Sequence, residues 1–112
     1  MATAEECLAA LQRFADNIAA NNEQVKSKVN FDRQLACDIT DLGTSFHGRF
    51  VDGTLTGIAE GDDPQAHIRM TVGSDDLIAL VDGELDFGAA YGGGRVKIKA
   101  SLLDLLKLKN IL

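Results

Sequence analysis

In three runs between residues 34 and 72 the apolar side chains return at every second position, and this period of two most narrows what the chain can become. Leu35, Cys37 and Ile39 alternate with Ala36, Asp38 and Thr40, and Phe46, Gly48 and Phe50 alternate with His47, Arg49 and Val51. In the last run Ala66, Ile68, Met70 and Val72 alternate with His67, Arg69 and Thr71. A helix does not segregate side chains with this period, whereas a strand puts alternate residues on opposite faces. Turn signals separate the runs at Asp41-Leu42-Gly43, Asp52-Gly53 and Glu60-Gly61-Asp62-Asp63-Pro64, and Asp-Gly is the strongest short hairpin cue. The pattern predicts a meander of antiparallel strands near 34–40, 44–51, 54–60 and 66–72, one face buried and the other wet.

Helical periodicity flanks this block. Thr3 and Glu6 have capping-box spacing, and Cys7, Leu8, Leu11, Phe14, Ala15 and Ile18 make one stripe, so a helix is expected from residue 3 to about 21. The polar stretch Asn21 to Lys28 reads equally as an extension of that helix or a linker. After the strands, Ser74 is expected to cap a short helix, with Asp75 and Asp76 at its positive end, Leu77, Ile78, Leu80 and Val81 following, and Asp82-Gly83 ending it. A short apolar piece, Leu85 to Tyr91, precedes Gly92-Gly93-Gly94. A final strand, Arg95 to Lys99, turns Val96 and Ile98 inward, and a last helix starts near Ser101. The expected fold is α+β, a five-stranded mostly antiparallel sheet with helices layered on one face, in a single domain over residues 1–112.

The terminal segment holds more leucine than one buried stripe requires. Leu102, Leu103, Leu105, Leu106, Leu108, Ile111 and Leu112 point in nearly every direction on a helical wheel, interrupted only at Asp104, Lys107, Lys109 and Asn110. Burial on two sides is the expectation, one face on the sheet and another on a ligand, a lid contact or a second subunit.

Charge is unevenly distributed. The net charge is −6, yet residues 95–112 carry Arg95, Lys97, Lys99, Lys107 and Lys109 against Asp104 alone, so a +4 tail follows a −10 body. An acidic body excludes nucleic acid as the main partner, because phosphate binding requires a clustered basic surface. No stretch approaches the roughly 18 apolar residues of a membrane span. The opening MATAEECLAALQRF lacks the basic and apolar regions of a signal peptide. Cys7 and Cys37, with 29 residues between them, fit no zinc or redox spacing. Both fall on apolar phases, so they are expected to be reduced, buried filler in a cytoplasmic protein.

Candidates for catalysis are thin. His47 and His67 occupy the solvent phase of strands, with no nucleophile context. The pairs Asp62-Asp63 and Asp75-Asp76 point apart and already serve a turn and a helix start. Gly92-Gly93-Gly94 precedes a strand instead of opening a helix and lacks a following Lys-Ser/Thr, so it reads as a turn with freedom to move and not as a phosphate cradle. The chain is therefore expected to be non-enzymatic, with no metal or cofactor, and to act through an apolar cavity or an interface.

Four segments, in order, resemble a known family: Cys37-Asp38-Ile39-Thr40-Asp41; Ser74-Asp75-Asp76-Leu77; Asp82-Gly83-Glu84-Leu85; and Gly94-Arg95-Val96-Lys97-Ile98-Lys99-Ala100 before a leucine-rich terminal helix. The chain is similar over nearly its whole length to the sterol carrier protein family, the non-specific lipid-transfer domain. The resemblance implies an apolar tunnel between sheet and helices that accepts fatty acid, fatty acyl-CoA, sterol or phospholipid. Ala100 departs from the glycine usual after the last strand, and the peroxisomal ending of many eukaryotic relatives is absent.

In that tunnel the inward residues Phe46, Phe50, Ile68, Met70, Val96 and Ile98 of the sheet, with Leu80, Phe87, Leu103 and Leu106 of the helices, are expected to line the ligand site. The terminal helix is expected to hinge near Gly92 to Gly94. Lys97, Lys99, Lys107 and Lys109 are candidates to hold an anionic head group or to touch an anionic membrane transiently. Two other readings stand beside this one. In the first, the cavity is filled and the terminal leucines form a homodimer or another protein interface. In the second, a small lyase or isomerase would require a buried Asp or His in the pocket, for which Asp38, on the expected wet face, is the nearest candidate.

Overall fold

The computed structural model describes residues 1–21, 23, 24 and 32–109, the last three by backbone only. The open reading of residues 21–28 and the roles expected of Lys107, Leu108, Lys109, Ile111 and Leu112 therefore lie largely outside the described residues.

The first helix, α1 (Ala4–Ala20), begins where Thr3 and Glu6 close a reciprocal box: the Glu6 amide donates to Thr3 Oγ1 and the Thr3 amide to Glu6 Oε1, each at 3.1 Å. Its stripe buries Cys7, Ala10, Leu11, Ala15 and Ile18. Strands β1 (Arg33–Ile39), β2 (Thr44–Val51) and β3 (Thr54–Glu60) form the expected meander. Between β2 and β3, Asp52 (φ 54°) and Gly53 (φ 73°) both adopt positive φ, the backbone of a type I′ hairpin turn.

The meander stops there. Strand β4 (Ile68–Val72) does not pair with β3 but crosses the sheet to lie parallel to β1, giving the order β3-β2-β1-β4-β5 and a mixed sheet whose other pairings are antiparallel. The expectation of a strand from 66 shortens by two residues, and its cause is visible at Arg69. This side chain donates to Asp38 on β1 at 2.8 Å and to the Asp63 carbonyl at 3.0 Å, and it pairs with Asp62 at 2.8 Å. Residues 61–67 are thus a clamped crossover and not a hairpin, and Asp62-Asp63 is the strap that holds it.

Helix α2 (Ser74–Val81) follows β4. Its N-cap is Gly73, not Ser74 as expected, because Ser74 is already helical and the capping oxygens come from elsewhere: Asp41 accepts from the Ser74 amide at 2.8 Å. Helices α2 and α3 (Phe87–Gly92) end in the same way. In α2 the Glu84 amide donates to Ala79 and the Gly83 amide to Leu80; in α3 the Arg95 amide donates to Ala90 and the Gly94 amide to Tyr91. Gly83 (φ 77°) and Gly94 (φ 79°) take the left-handed position that this Schellman arrangement requires. The triple glycine thus contains a hydrogen-bonded helix stop. Strand β5 (Val96–Lys99) pairs with β4, and α4 (Leu102–Lys109) ends the described chain. Among the described residues no helix is long and apolar enough to cross a membrane.

Candidate functional site

Among the described residues, buried apolar side chains form two clusters. One gathers Cys7, Leu11, Cys37, Ile39, Phe46, Val72, Leu77 and Val96, with Leu80, Val81, Leu85 and Phe87 packed against it. The other centres on Ile18, Phe50 and Ile68, flanked by Phe14, Leu35, Leu55 and Ala100. A cavity of about 500 Å³ touches both clusters and lies between the inner sheet face, α1 and the α2–α3 segment. Small-molecule sites are roughly 300–1,000 Å³, so the space suits a ligand as well as any incidental packing gap.

Seven of the expected residues come together there: Phe46, Phe50, Ile68, Met70 and Ile98 from the sheet, Leu80 from α2 and Phe87 from α3. Val96 does not line it. Paired with Val72 and 1% exposed, Val96 is packed solidly within the first cluster. Leu103 and Leu106 do not line it either, at 71% and 54% exposure, and Leu102 beside them is 72% exposed. The buried position of α4 belongs to Asp104, 4% exposed, whose carboxylate accepts from Arg33 Nε at 3.1 Å. Each helical residue turns about 100° from the last, so seating Asp104 swings Leu102, Leu103 and Leu106 away from the body. Among the described residues nothing covers Leu102, Leu103 and Leu106 on a second side.

Other wall residues follow from features read differently in the sequence. The α1 stripe, taken as core, supplies Leu11, Phe14 and Ile18 to the cavity. From β3 come Leu55 and Ile58, three apart, which a regular strand would place on opposite faces. A bulge reconciles them: His47 pairs with Ala59 and Arg49 with Thr56, so Gly57 and Ile58 together oppose Gly48. Gly57 has φ 66°, the left-handed bulge position. The isolated glycine within a strand pattern was the available signal.

Polar groups on the wall are few. Asp86 already accepts from the Ala89 amide at 2.9 Å as the cap of α3, and His47 Nδ1 donates to the Gly61 carbonyl at 2.9 Å. Cys37 is a buried free thiol whose pKa burial pushes up to about 12, with the Asp38 charge adding to the rise. A thiol held neutral behaves as a small apolar surface.

The remaining candidates lie away from the cavity. Asp38 belongs to the opposite sheet face, where burial opposes its charge but hydrogen bonds from Ser45 (2.6 Å) and Arg69 outweigh it and hold the carboxyl below its ordinary range. His67 is exposed, its Nδ1 accepting from the Gln34 amide at 3.0 Å. Lys97 and Lys99 are exposed and alternate with the inward Val96 and Ile98, so they project from the face away from the cavity and not at its mouth. Among the described residues no group of three His, Cys, Asp or Glu side chains converges as a metal site would.

The SCP-2 sterol transfer family matches residues 10–112 of the sequence. Comparison with curated proteins yields no match. Among solved structures, sterol carrier protein domain 2 of Helicoverpa armigera matches with a TM-score of 0.74 at 14% identity, covering 98% of this chain and 89% of that one. The palmitated sterol carrier protein 2-like 2 of Aedes aegypti matches with a TM-score of 0.56 at 18% identity over 88% and 92% of the two chains. The inverting sec-alkylsulfatase Pisa1 from a Pseudomonas species matches with a TM-score of 0.62 at 22% identity over 84% of this chain, which spans only 15% of that protein's length. Identities this low speak to a shared fold. With a family match running from α1 to residue 112, on a mixed sheet with its helices arranged in this way, the chain belongs to the SCP-2 sterol transfer family.

Proposed function

We propose that this chain binds a lipid in the cavity between sheet and helices and transfers it without chemistry. The observation that carries this reading is the wall itself: a volume of about 500 Å³ faced by leucine, isoleucine, phenylalanine and methionine, with Asp86 and His47 already engaged in hydrogen bonds. Burying hydrocarbon contributes roughly 0.8 kcal/mol per methylene, so a chain of a dozen carbons supplies ample affinity with no specific polar contact. The ligand class is fatty acid, fatty acyl-CoA, sterol or phospholipid, held in a tunnel whose walls include Phe46, Phe50, Ile68, Met70, Leu80, Phe87 and Ile98. The palmitated state of the Aedes aegypti relative supports a fatty acyl chain in particular. The setting we propose is cytoplasmic, with Lys97 and Lys99 available for transient contact with an anionic membrane.

Native mass spectrometry of the purified protein, followed by organic extraction, tests the reading. A fatty acid, acyl-CoA or phospholipid near one per chain supports it. A bare protein that also takes up no fluorescent fatty acid counts against it.

The exposed Leu102, Leu103 and Leu106 favour a second reading, in which α4 is the contact surface of a homodimer or a protein partner. Sedimentation separates the two, since a strictly monomeric protein that carries lipid leaves no self-association to explain.

A further inference from the structure

Among the described residues, three of the five large apolar side chains left exposed lie on α4. Leu102, Leu103 and Leu106 are 72%, 71% and 54% exposed, and at about 100° per residue they share one arc of roughly 100° on the helix. Asp104 lies opposite the middle of that arc and is held inward by Arg33. Positions 107 and 109, both lysine, fall on its two borders. Lys97 and Lys99 are exposed on β5, and Lys99 stands three residues before Leu102, no more than roughly 11 Å along the chain. An apolar arc bordered by lysine is the pattern of a helix that lies in a membrane interface.

We propose that α4 docks on an anionic bilayer, Leu102, Leu103 and Leu106 entering among the head groups while the neighbouring lysines meet their charge. Docking of this kind needs no ligand in the cavity, and so it goes beyond the lipid-binding reading. Charge selects this occupant over a second copy of the chain. A symmetric pair would set one +4 tail against another, and three leucines fall far short of the roughly 20–30 residues a side of a stable interface. A surface of acidic lipid attracts the tail and repels the −10 body, which fixes the end of the molecule that approaches. Asp104, the one acid of the tail, does not oppose this, because it is buried in its ion pair. Helix α1 is no rival: its stripe is buried, its first turn holds Glu5 and Glu6, and its last turn has no base.

The test mixes the full chain, with no lipid cargo added, with vesicles of phosphatidylcholine alone or of phosphatidylcholine and phosphatidylserine together. Co-sedimentation with the anionic vesicles is expected to be much the stronger. Replacing Lys97→Gln and Lys99→Gln should weaken it by about fivefold for each lysine. The pair Leu102→Gln and Leu103→Gln should weaken it by about tenfold or more. All four positions are exposed, so circular dichroism should keep the wild-type spectrum. The chain has no tryptophan, so Leu103→Trp gives a single reporter, whose emission should shift to the blue on anionic vesicles and be quenched by brominated acyl chains. Vesicle binding with unshifted emission, or binding that survives replacement of both leucines, overturns the role of α4, and an anionic preference that survives loss of both lysines overturns theirs. A dimer whose emission is already blue-shifted before vesicles are added gives the face to a second copy instead. A protein that takes up fatty acid yet ignores both kinds of vesicle would reject membrane docking and leave the cavity reading intact.

Discussion

The carboxylate of Asp41 receives both the backbone amide and the hydroxyl of Ser74, 33 residues along the chain, at 2.8 and 2.5 Å. Ser74 is fully buried, and its oxygen also accepts from the Ala2 amide at 3.1 Å. One hydroxyl thus ties the β1–β2 turn, the start of α2 and the segment before α1 into a single corner. Ser74→Ala keeps the amide bond to Asp41 but removes both bonds of the hydroxyl and leaves the buried Ala2 amide without this acceptor, so it should cost about 1–3 kcal/mol, read as a lower urea midpoint at unchanged m-value.

Acid should loosen the same corner. Hydrogen bonds from Ser74 hold the Asp41 carboxyl below its ordinary value of 3.8, and those from Ser45 and Arg69, outweighing burial, do the same for Asp38. A carboxyl whose folded pKa is depressed stabilises the fold above its unfolded value, and that stability is lost as pH falls through the folded one. Stability should therefore be flat with respect to these groups above about pH 5 and fall from near pH 4 downward. Urea midpoints across this range check it, and Asp41→Asn should reduce the slope.

These corners show what could be read in advance. Strand positions, the α1 stripe and the Asp52-Gly53 hairpin all follow from residues close in sequence, and each was legible there. The parallel pairing of β1 with β4 was not, because it depends on Arg69 reaching Asp38, Asp62 and Asp63 at once, which no periodicity encodes. The same limit applied to the cavity. Inward phases identified Phe46, Phe50, Ile68, Met70 and Ile98, but a phase does not distinguish a wall from solid packing, and so Val96 was misplaced. Leu103 and Leu106 failed for a different reason: the pairing of Asp104 with Arg33, 71 residues away, decides which face of α4 turns inward.

Gly57 should resist replacement. A Cβ there meets nothing within 4 Å, so the cost of Gly57→Ala lies wholly in its φ of 66°. About 1–2 kcal/mol is expected from the left-handed backbone alone. Because the bulge sets both Leu55 and Ile58 on the cavity, lipid affinity should fall along with stability. A melting curve and a fatty-acid titration of the variant measure the two effects separately.

Both thiols should be silent in the native protein. Cys37 is pushed up to about 12 chiefly by burial, and Cys7 is raised by the same cause with help from Asp41, Glu6 and Asp75. Reaction with a thiol reagent at pH 8 should be slow until denaturant is added and then complete for both cysteines.

Met70→Lys places an ammonium on the cavity wall between Ile68 and Val72 on β4. Burying that charge beside hydrocarbon is costly, whereas the half-buried position lets a lysine reach water along the cavity. Lipid binding should be lost, at least tenfold in affinity, which is 1.4 kcal/mol or more, while circular dichroism keeps the wild-type spectrum.

The most direct measurement is the position of a bound acyl chain, by nuclear Overhauser effects between uniformly labelled protein and unlabelled palmitate. Contacts from the ligand methylenes to the Met70 methyl, to Ile68 and Leu35, and to the rings of Phe50 and Phe87 are the predicted result. Contacts confined to Leu102, Leu103 and Leu106 on the outside of α4, or none with the inner face of the sheet, would contradict it.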